Sequence, residues 1–172
     1  MMTGRHPERI GAQQNPPYDP EDPTIGVPLS EPLMAAPLQA AGYRTGAIGK
    51  WHLGSHPQFH PHRRGFDFFY GFLHGGHRYW PEEYAGFRER IAEDDPAYAY
   101  VTPLERNGTP VEETGYLTDI LTREAVQFIE TTQDQPFFLY LAYNAPHVPM
   151  EAKPEDLEAL AGIEDEKRRT YA

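Results

Sequence analysis

Two successions of a helix followed by a strand constrain the fold of this sequence more than any other feature. The clearer one begins with residues 116–132, in which apolar side chains recur on one helical face. These are Leu117, Ile120, Leu121, Ala125, Phe128 and Ile129. After a turn, the apolar run 137–142 is typical of a central strand that is covered on both faces. A shorter helix at 30–41 precedes a strand at 43–49, and this repetition predicts an α/β fold with a mostly parallel sheet between helices.

Residues that begin and end helices set the limits of the shorter unit. Ser30 is placed to cap its helix and Gly42 to stop it, but Pro37 lies inside the helix. Because a proline in a helix interior costs about 3 kcal/mol, we expect this helix to be kinked or split. Outside the two units, three segments are predicted to be mostly irregular: 1–28, 55–81 and 82–113, the last with one short helix and a turn at Asn107-Gly108.

Charge and cysteine content exclude several classes of function. Acidic residues outnumber basic ones by 26 to 15, and the formal net charge of −11 disfavours nucleic acid as a partner. An anionic substrate would therefore need a local concentration of cationic groups. Without cysteine, the chain has neither a disulfide framework nor a thiolate site. No apolar stretch approaches the ~20 residues of a membrane span and no signal peptide is visible, so the sequence leaves the compartment open.

Polar, titratable residues follow both predicted strands. Lys50 and His52 come directly after the first strand, and His147 lies in the loop after the second. In sheets with parallel strands, ligands bind beyond the carboxyl ends of the strands, which meet at one edge. These three side chains are therefore expected to lie together as the candidate site.

Histidines elsewhere in the chain raise the alternative of a metal site. Those at sequence spacings that invite this interpretation are His52, His56, His60, His62, His74 and His77. Spacings of four would place ligands on one helical face, but Pro57 and Pro61 rule out a regular helix there. No cysteine assists them, and no carboxylate lies between them at ligand spacing. We therefore predict no dedicated histidine metal site.

The segment around Lys50 carries a long motif. Residues 42–54 read GYRTGAIGKWHLG and match every fixed position of G-Y-x-T-x-x-x-G-K-W-H-L-G, the second signature of the type I sulfatases. Other parts of the family pattern follow in the expected order: TGR at 3–5, RGFD at 64–67, a helix start at 116–119 and the A-P-H-x-P loop at 145–149. The chain thus resembles a sulfatase along nearly its whole length.

This resemblance implies an alkaline-phosphatase-like α/β fold and the hydrolysis of sulfate esters. The family uses a formylglycine, made from a cysteine, and a divalent cation, usually calcium (Ca2+). Lys50 matches the lysine that contacts the sulfate, and His52 matches the histidine that helps to release it. His147 matches a second active-site histidine, which contacts the sulfate or protonates the leaving oxygen. The substrate side of the pocket is expected to be lined by His74, Gly75, Gly76, His77 and Tyr79, because the family varies this region between substrates.

The same resemblance implies what this chain would leave out. The family's nucleophile would precede Thr3, and its metal ligands would lie before Met1 and after Ala172, so none is expected within the chain. Residues 1–172 are thus expected to be an incomplete sulfatase catalytic domain, inactive alone, from a parent that cleaves a small-molecule or carbohydrate sulfate ester. One alternative is a phosphonate or phosphate monoester hydrolase of the same superfamily. Another is a non-catalytic sulfatase remnant or binding protein.

Overall fold

The computed structural model describes residues 2–80 and 102–172, which form an α/β fold. Its helices are α1 (Ala35–Ala40), α2 (Leu117–Thr132), α3 (Pro154–Ala159) and α4 (Glu166–Tyr171). Its strands are β1 (Arg44–Lys50), β2 (Phe68–Phe72), β3 (Leu104–Arg106), β4 (Thr109–Val111) and β5 (Phe137–Ala142). Among these residues, no helix combines the length and the apolar character that crossing a membrane would require.

The five strands form one mixed sheet in the order β4-β3-β2-β1-β5. Strand β1 pairs in parallel with β2 on one side and with β5 on the other. Strands β3 and β4 form an antiparallel hairpin around the predicted turn at Asn107-Gly108, and β3 pairs antiparallel with β2. The prediction of a mixed α/β sheet is confirmed. Within the described residues β5 is an edge strand and its side chains all stay partly exposed, whereas its apolar run is typical of a central strand.

An apolar core lies on each face of the sheet, because successive strand residues point to opposite faces. On one face, Phe128 of helix α2 packs in a cluster with Ile48 and Tyr70. On the other face, their sequence neighbours Ala47 and Phe69 belong to a second buried cluster. This alternation fixes the orientation of β1 and β2, and with it the point at which the residues after each strand emerge.

Two elements differ from the predictions in instructive ways. Strand β2 lies in the segment 55–81, where only irregular structure is predicted; prolines, glycines and histidines around it hide the strand pattern. Helix α1 starts at Ala35, well after Ser30, and Pro37 is its third residue. The proline breaks no helical bond there, because N–H groups in the first turn have no intrahelical acceptor. Gly42 ends this helix as predicted, with a φ of 89°.

The short helix predicted within 82–113 falls outside the described residues, since 102–113 contains the β3–β4 hairpin instead.

The RGFD segment has a structural role. The buried Arg64 guanidinium donates hydrogen bonds to the carbonyl oxygens of Val27 and Glu31 at 2.7 and 2.8 Å. The Asp67 carboxylate accepts a hydrogen bond from the backbone N–H of Thr45 at 2.9 Å. These bonds hold the start of β1 against its surroundings, and so help to fix the direction in which Lys50 leaves the sheet.

Candidate functional site

Three neighbouring parallel strands end at one edge of the sheet. Lys50 is the last residue of β1, and His52 follows it by two positions. His74 follows β2 by two positions, and His147 follows β5 in the next loop. Because β5, β1 and β2 run parallel and side by side, their carboxyl ends deliver these four side chains to a common region.

The chain turns sharply as it leaves β1. Hydrogen bonds to β2 and to the residue after it continue past the end of β1. The N–H of Trp51 donates to the carbonyl of Phe72 at 3.0 Å, and the N–H of His52 donates to the carbonyl of Leu73 at 3.3 Å. His52 has a φ of 54°, a left-handed conformation that residues other than glycine seldom adopt. The Trp51 indole is buried and donates to the Phe59 carbonyl at 3.0 Å, which is the packing role expected for it. This turn buries Trp51 and leaves the His52 imidazole half-buried at the sheet edge.

Backbone from two loops holds the His52 ring. A Cβ atom built on Gly75 would lie only 2.5 Å from His52 Nε2, so the glycine permits the backbone to pack directly against the imidazole. The carbonyl of Pro16 accepts a hydrogen bond from the ring. The imidazole is therefore fixed by the N-terminal loop and by the loop after β2.

The mutual electrostatic effects of these side chains show that they form one cluster. Burial lowers the pKa of the Lys50 ammonium. Burial is also the largest cause that lowers the pKa of His52. The charge of Lys50 and, more weakly, that of His147 lower this pKa further, while the hydrogen bond to the Pro16 carbonyl opposes the shift. The pKa of His74 is lowered to about 4, first by burial and then by the histidines around it and Lys50. The charges of Lys50 and His147 disfavour the cationic forms of His52 and His74, and an anion bound among these side chains would offset that effect.

A buried asparagine fixes the loop that carries His147. The Asn144 amide donates to the carbonyl of His77 at 2.7 Å, and its oxygen accepts from the N–H of His77 at 3.2 Å. The His147 N–H in turn donates to the carbonyl of Asn144 at 2.9 Å. The Tyr79 hydroxyl donates to the carbonyl of His147 at 2.9 Å. His147 Nδ1 lies 2.7 Å from the carbonyl of Val148, which can only accept, so Nδ1 carries a proton in this hydrogen bond.

Replacing Asn144 with alanine is expected to misplace His147 and thereby to lower kcat for the sulfate-ester hydrolysis that the sequence motif implies. The change leaves a buried N–H and a buried carbonyl of His77 without this partner, which costs about 1–3 kcal/mol of local stability. In a His147→Ala background the same replacement should cost little further activity, because the group that it positions is already gone. Steady-state kinetics on the two single variants and the double variant, made in the full-length gene product, measure this coupling. Additive losses in the double variant would contradict the positioning role.

His77 itself lies in the interior. Its side chain has 0% exposure, and its two ring nitrogens face the carbonyls of Arg78 and Thr102 at 2.7 and 2.8 Å. This placement contradicts the expectation that His77 lines the substrate side of the pocket, because a fully enclosed ring cannot reach a substrate. Its backbone, bonded to Asn144, contributes to the site by fixing the adjoining loop.

His74 belongs to the cluster, whereas the sequence places it only among the residues expected on the substrate side of the pocket. It occurs three positions before His77 in the run HGGH, and nothing in this short, glycine-containing run indicates which histidine points outward. What separates the two histidines is their distance from strand β2, which the sequence does not show because the residues around β2 hide its pattern. His74 follows β2 by two positions, as His52 follows β1.

The lowered pKa of His74 predicts a loss of stability in acid. The unfolded chain takes up a proton near the ordinary value of 6.5, whereas the folded chain takes one up only at about 4. The free energy of unfolding should therefore fall as the pH drops from 6.5 towards 4, and a His74→Gln variant should show a shallower fall. Urea unfolding at pH 7.5 and 5.0 measures the difference, with the exposed His6→Gln as the control. Equal pH dependence in wild type and His74→Gln would refute the assignment.

The described residues do not offer a metal site. They contain no group of three histidine, aspartate or glutamate side chains placed to hold a metal ion. His60 instead pairs with Glu105, with 2.6 Å between Nε2 and Oε1, and His62 Nε2 lies 3.1 Å from the side-chain oxygen of Asn107. The histidines of this region thus join the loop to the β3–β4 hairpin.

Fold and site together define a member of the sulfatases. The sulfatase family model matches residues 1–172, and the chain belongs to this family. It is 35% identical to the uncharacterized sulfatase YdeN of Escherichia coli, over 87% of this chain and 27% of that protein. It is 36% identical to the N-acetylgalactosamine-6-sulfatase of Mus musculus, over 91% of this chain and 31% of that enzyme. The chain therefore spans less than a third of the length of either relative.

Among solved structures, the chain resembles that of Ps i-CgsB with a TM-score of 0.89 and 47% identity, over 99% of this chain and 38% of that one. The same protein has been crystallised in complex with k-i-k-neocarrahexaose. This similarity confirms the sulfatase fold predicted from the motif.

Proposed function

We propose that this chain supplies the sulfate-binding side of the active site of a hydrolase that cleaves sulfate monoesters. The observation that carries the proposal is the cluster of Lys50, His52 and His147 at the carboxyl edge of three parallel strands, in which the charges of Lys50 and His147 act on His52. In a chain with a net charge of −11, such a concentration of basic side chains is the local environment that an anionic ester needs.

Each of the three side chains fits one requirement of the reaction. Hydrolysis breaks the bond between sulfur and the ester oxygen, adds the oxygen of water to the sulfuryl group, and leaves an alcohol that must gain a proton. The Lys50 ammonium offsets negative charge on the sulfuryl oxygens. His147 delivers a proton to the leaving oxygen. His52, which its surroundings keep in the neutral form, accepts a proton as sulfate is released.

Membership of the sulfatase family implies a formylglycine and a metal ion, and neither the cysteine content of the chain nor its described residues fit these groups. The chain contains no cysteine from which a formylglycine could be made. The described residues hold no cluster that could bind a metal ion. We assign no step of the reaction to them. Calcium is the ion that we propose for the enzyme, held by residues other than the described ones.

A sulfated carbohydrate is the substrate class that we propose. Support comes from Ps i-CgsB, crystallised with an oligosaccharide, and from a relative named as an N-acetylgalactosamine-6-sulfatase. The identity of 47% to the former makes k-i-k-neocarrahexaose the first carbohydrate to try.

Sulfate release by the full-length gene product tests the function. Ion chromatography after incubation with p-nitrophenyl sulfate, k-i-k-neocarrahexaose and N-acetylgalactosamine 6-sulfate should detect sulfate from at least one of them. The matched phosphate and phosphonate esters of p-nitrophenol should react more slowly. Faster release of phosphate than of sulfate would favour the phosphate monoester hydrolase, and no release from any ester would refute the enzymatic function.

A further inference from the structure

An aromatic pair extends from the cluster of Lys50, His52, His74 and His147, and it has no part in the chemistry proposed above. The ring of Tyr18 stacks on that of His74, with 5.0 Å between ring centroids and 30° between ring planes. His74 stands within electrostatic reach of Lys50, His52 and His147, which all lower its pKa. Tyr18 remains 37% exposed. The pair therefore connects the anion-binding cluster with solvent.

The loop that carries Tyr18 is fastened to the site on both sides of this residue. Before it, the carbonyl of Pro16 bonds to the His52 ring. After it, the N–H of Asp19 donates to the hydroxyl of Ser55 at 2.9 Å. Two anchors within four residues hold the Tyr18 ring in place, so a ligand that contacts it would lose little conformational freedom in ordering the loop.

Both rings of the pair are uncharged near neutral pH. Burial and the neighbouring histidines lower the pKa of His74 to about 4. Burial and the carboxylate of Glu105 raise the pKa of Tyr18. Glu105 is itself bonded to His60 at 2.6 Å. The surface next to the cluster is thus neutral and aromatic, with one hydroxyl that can donate or accept a hydrogen bond.

We propose that the Tyr18–His74 pair is the surface against which the sugar ring lies when its sulfate ester is bound at Lys50. Small-molecule sites combine aromatic walls with a few placed polar groups, and a sulfated sugar presents both an apolar ring face and an anion. The inference rests on the proposed function and adds to it the contact that would select a sugar ester.

Variants of Tyr18 test this contact in the full-length gene product. Tyr18→Ala should raise KM for the better of k-i-k-neocarrahexaose and N-acetylgalactosamine 6-sulfate about tenfold, the equivalent of losing one good contact. Tyr18→Phe retains the ring and should stay close to wild type. Tyr43→Ala is the matched control, because Tyr43 is also 37% exposed but precedes β1, at the opposite end of the strand from Lys50. The inhibition constant of inorganic sulfate should be unchanged in all three variants.

Three results would overturn the inference while leaving the proposed function intact. One is a Tyr18→Ala variant with the same KM as Tyr43→Ala; another is an equal rise in KM and in the sulfate inhibition constant, which would mean a damaged anion site. Hydrolysis of p-nitrophenyl sulfate without hydrolysis of either sugar would also defeat the sugar contact alone. If wild type releases no sulfate from any ester, the proposed function fails and this inference fails with it.

Discussion

Replacing Lys50 with alanine should lower kcat/KM for sulfate esters by about two to three orders of magnitude, the usual cost of removing a fixed donor from a site of developing charge. Lys50 ends the strand that lies between two parallel neighbours, so its backbone has little freedom to move. Burial lowers the pKa of its ammonium, which shows that the group has given up part of its hydration. An anion bound beside it would replace that hydration, and the attraction is stronger than in open water.

A matched variant separates this effect from the general loss of a positive charge. Lys167 is exposed in helix α4, within the charged run 164–169, and its replacement by alanine lowers the net charge equally. Initial rates with p-nitrophenyl sulfate and the inhibition constant of inorganic sulfate should both change in Lys50→Ala and stay constant in Lys167→Ala. If the two variants bind inorganic sulfate equally well, Lys50 does not contact the sulfate.

Local pattern and one rule of topology are enough to predict the sheet edge from the sequence. The helical spacing of 116–132 and the apolar run 137–142 predict α2 and β5 nearly to the residue. The rule that parallel strands end at a common edge then predicts that Lys50, His52 and His147 lie in one region. Predictions of this kind depend on short periodicities and on chain direction, and both are visible in an amino-acid sequence.

Contacts between distant residues decide what the sequence does not show. His77 and His74 stand in the same short run of the sequence. Only His77 is fully buried, and its backbone is bonded to Asn144, which is 67 positions away. Tyr18 lies in a proline-rich loop without periodicity, and its place beside His74 depends on bonds to Ser55 and His52. Neither arrangement leaves a local pattern, so spacing and composition alone could not have identified them.

The glycine before Lys50 shows the same dependence on distant contacts. Gly49 lies in β1 with a φ of 100°, and a Cβ atom there would lie 2.0 Å from the carbonyl oxygen of Ala142 in β5. On the other side, a Cβ on Gly71 of β2 would lie 2.0 Å from the carbonyl oxygen of Gly49. The motif shows a glycine at this position, but only the close approach of three strands shows why a side chain does not fit.

Replacing Gly49 with alanine is therefore expected to destabilise the fold by about 2–5 kcal/mol, from backbone strain of ~1–2 kcal/mol plus overpacking of ~1–3 kcal/mol. Gly42→Ala is the control, because Gly42 has a similar φ of 89° with no atom within 4 Å of the added Cβ, and should cost only the strain of about 1–2 kcal/mol. Urea unfolding of the full-length gene product measures both variants. A Gly49→Ala protein that is insoluble while Gly42→Ala remains soluble agrees with the prediction. Equal unfolding midpoints would show that β1 and β5 can separate enough to admit a methyl group, and that the position of Lys50 is less firmly fixed than its three-strand setting implies.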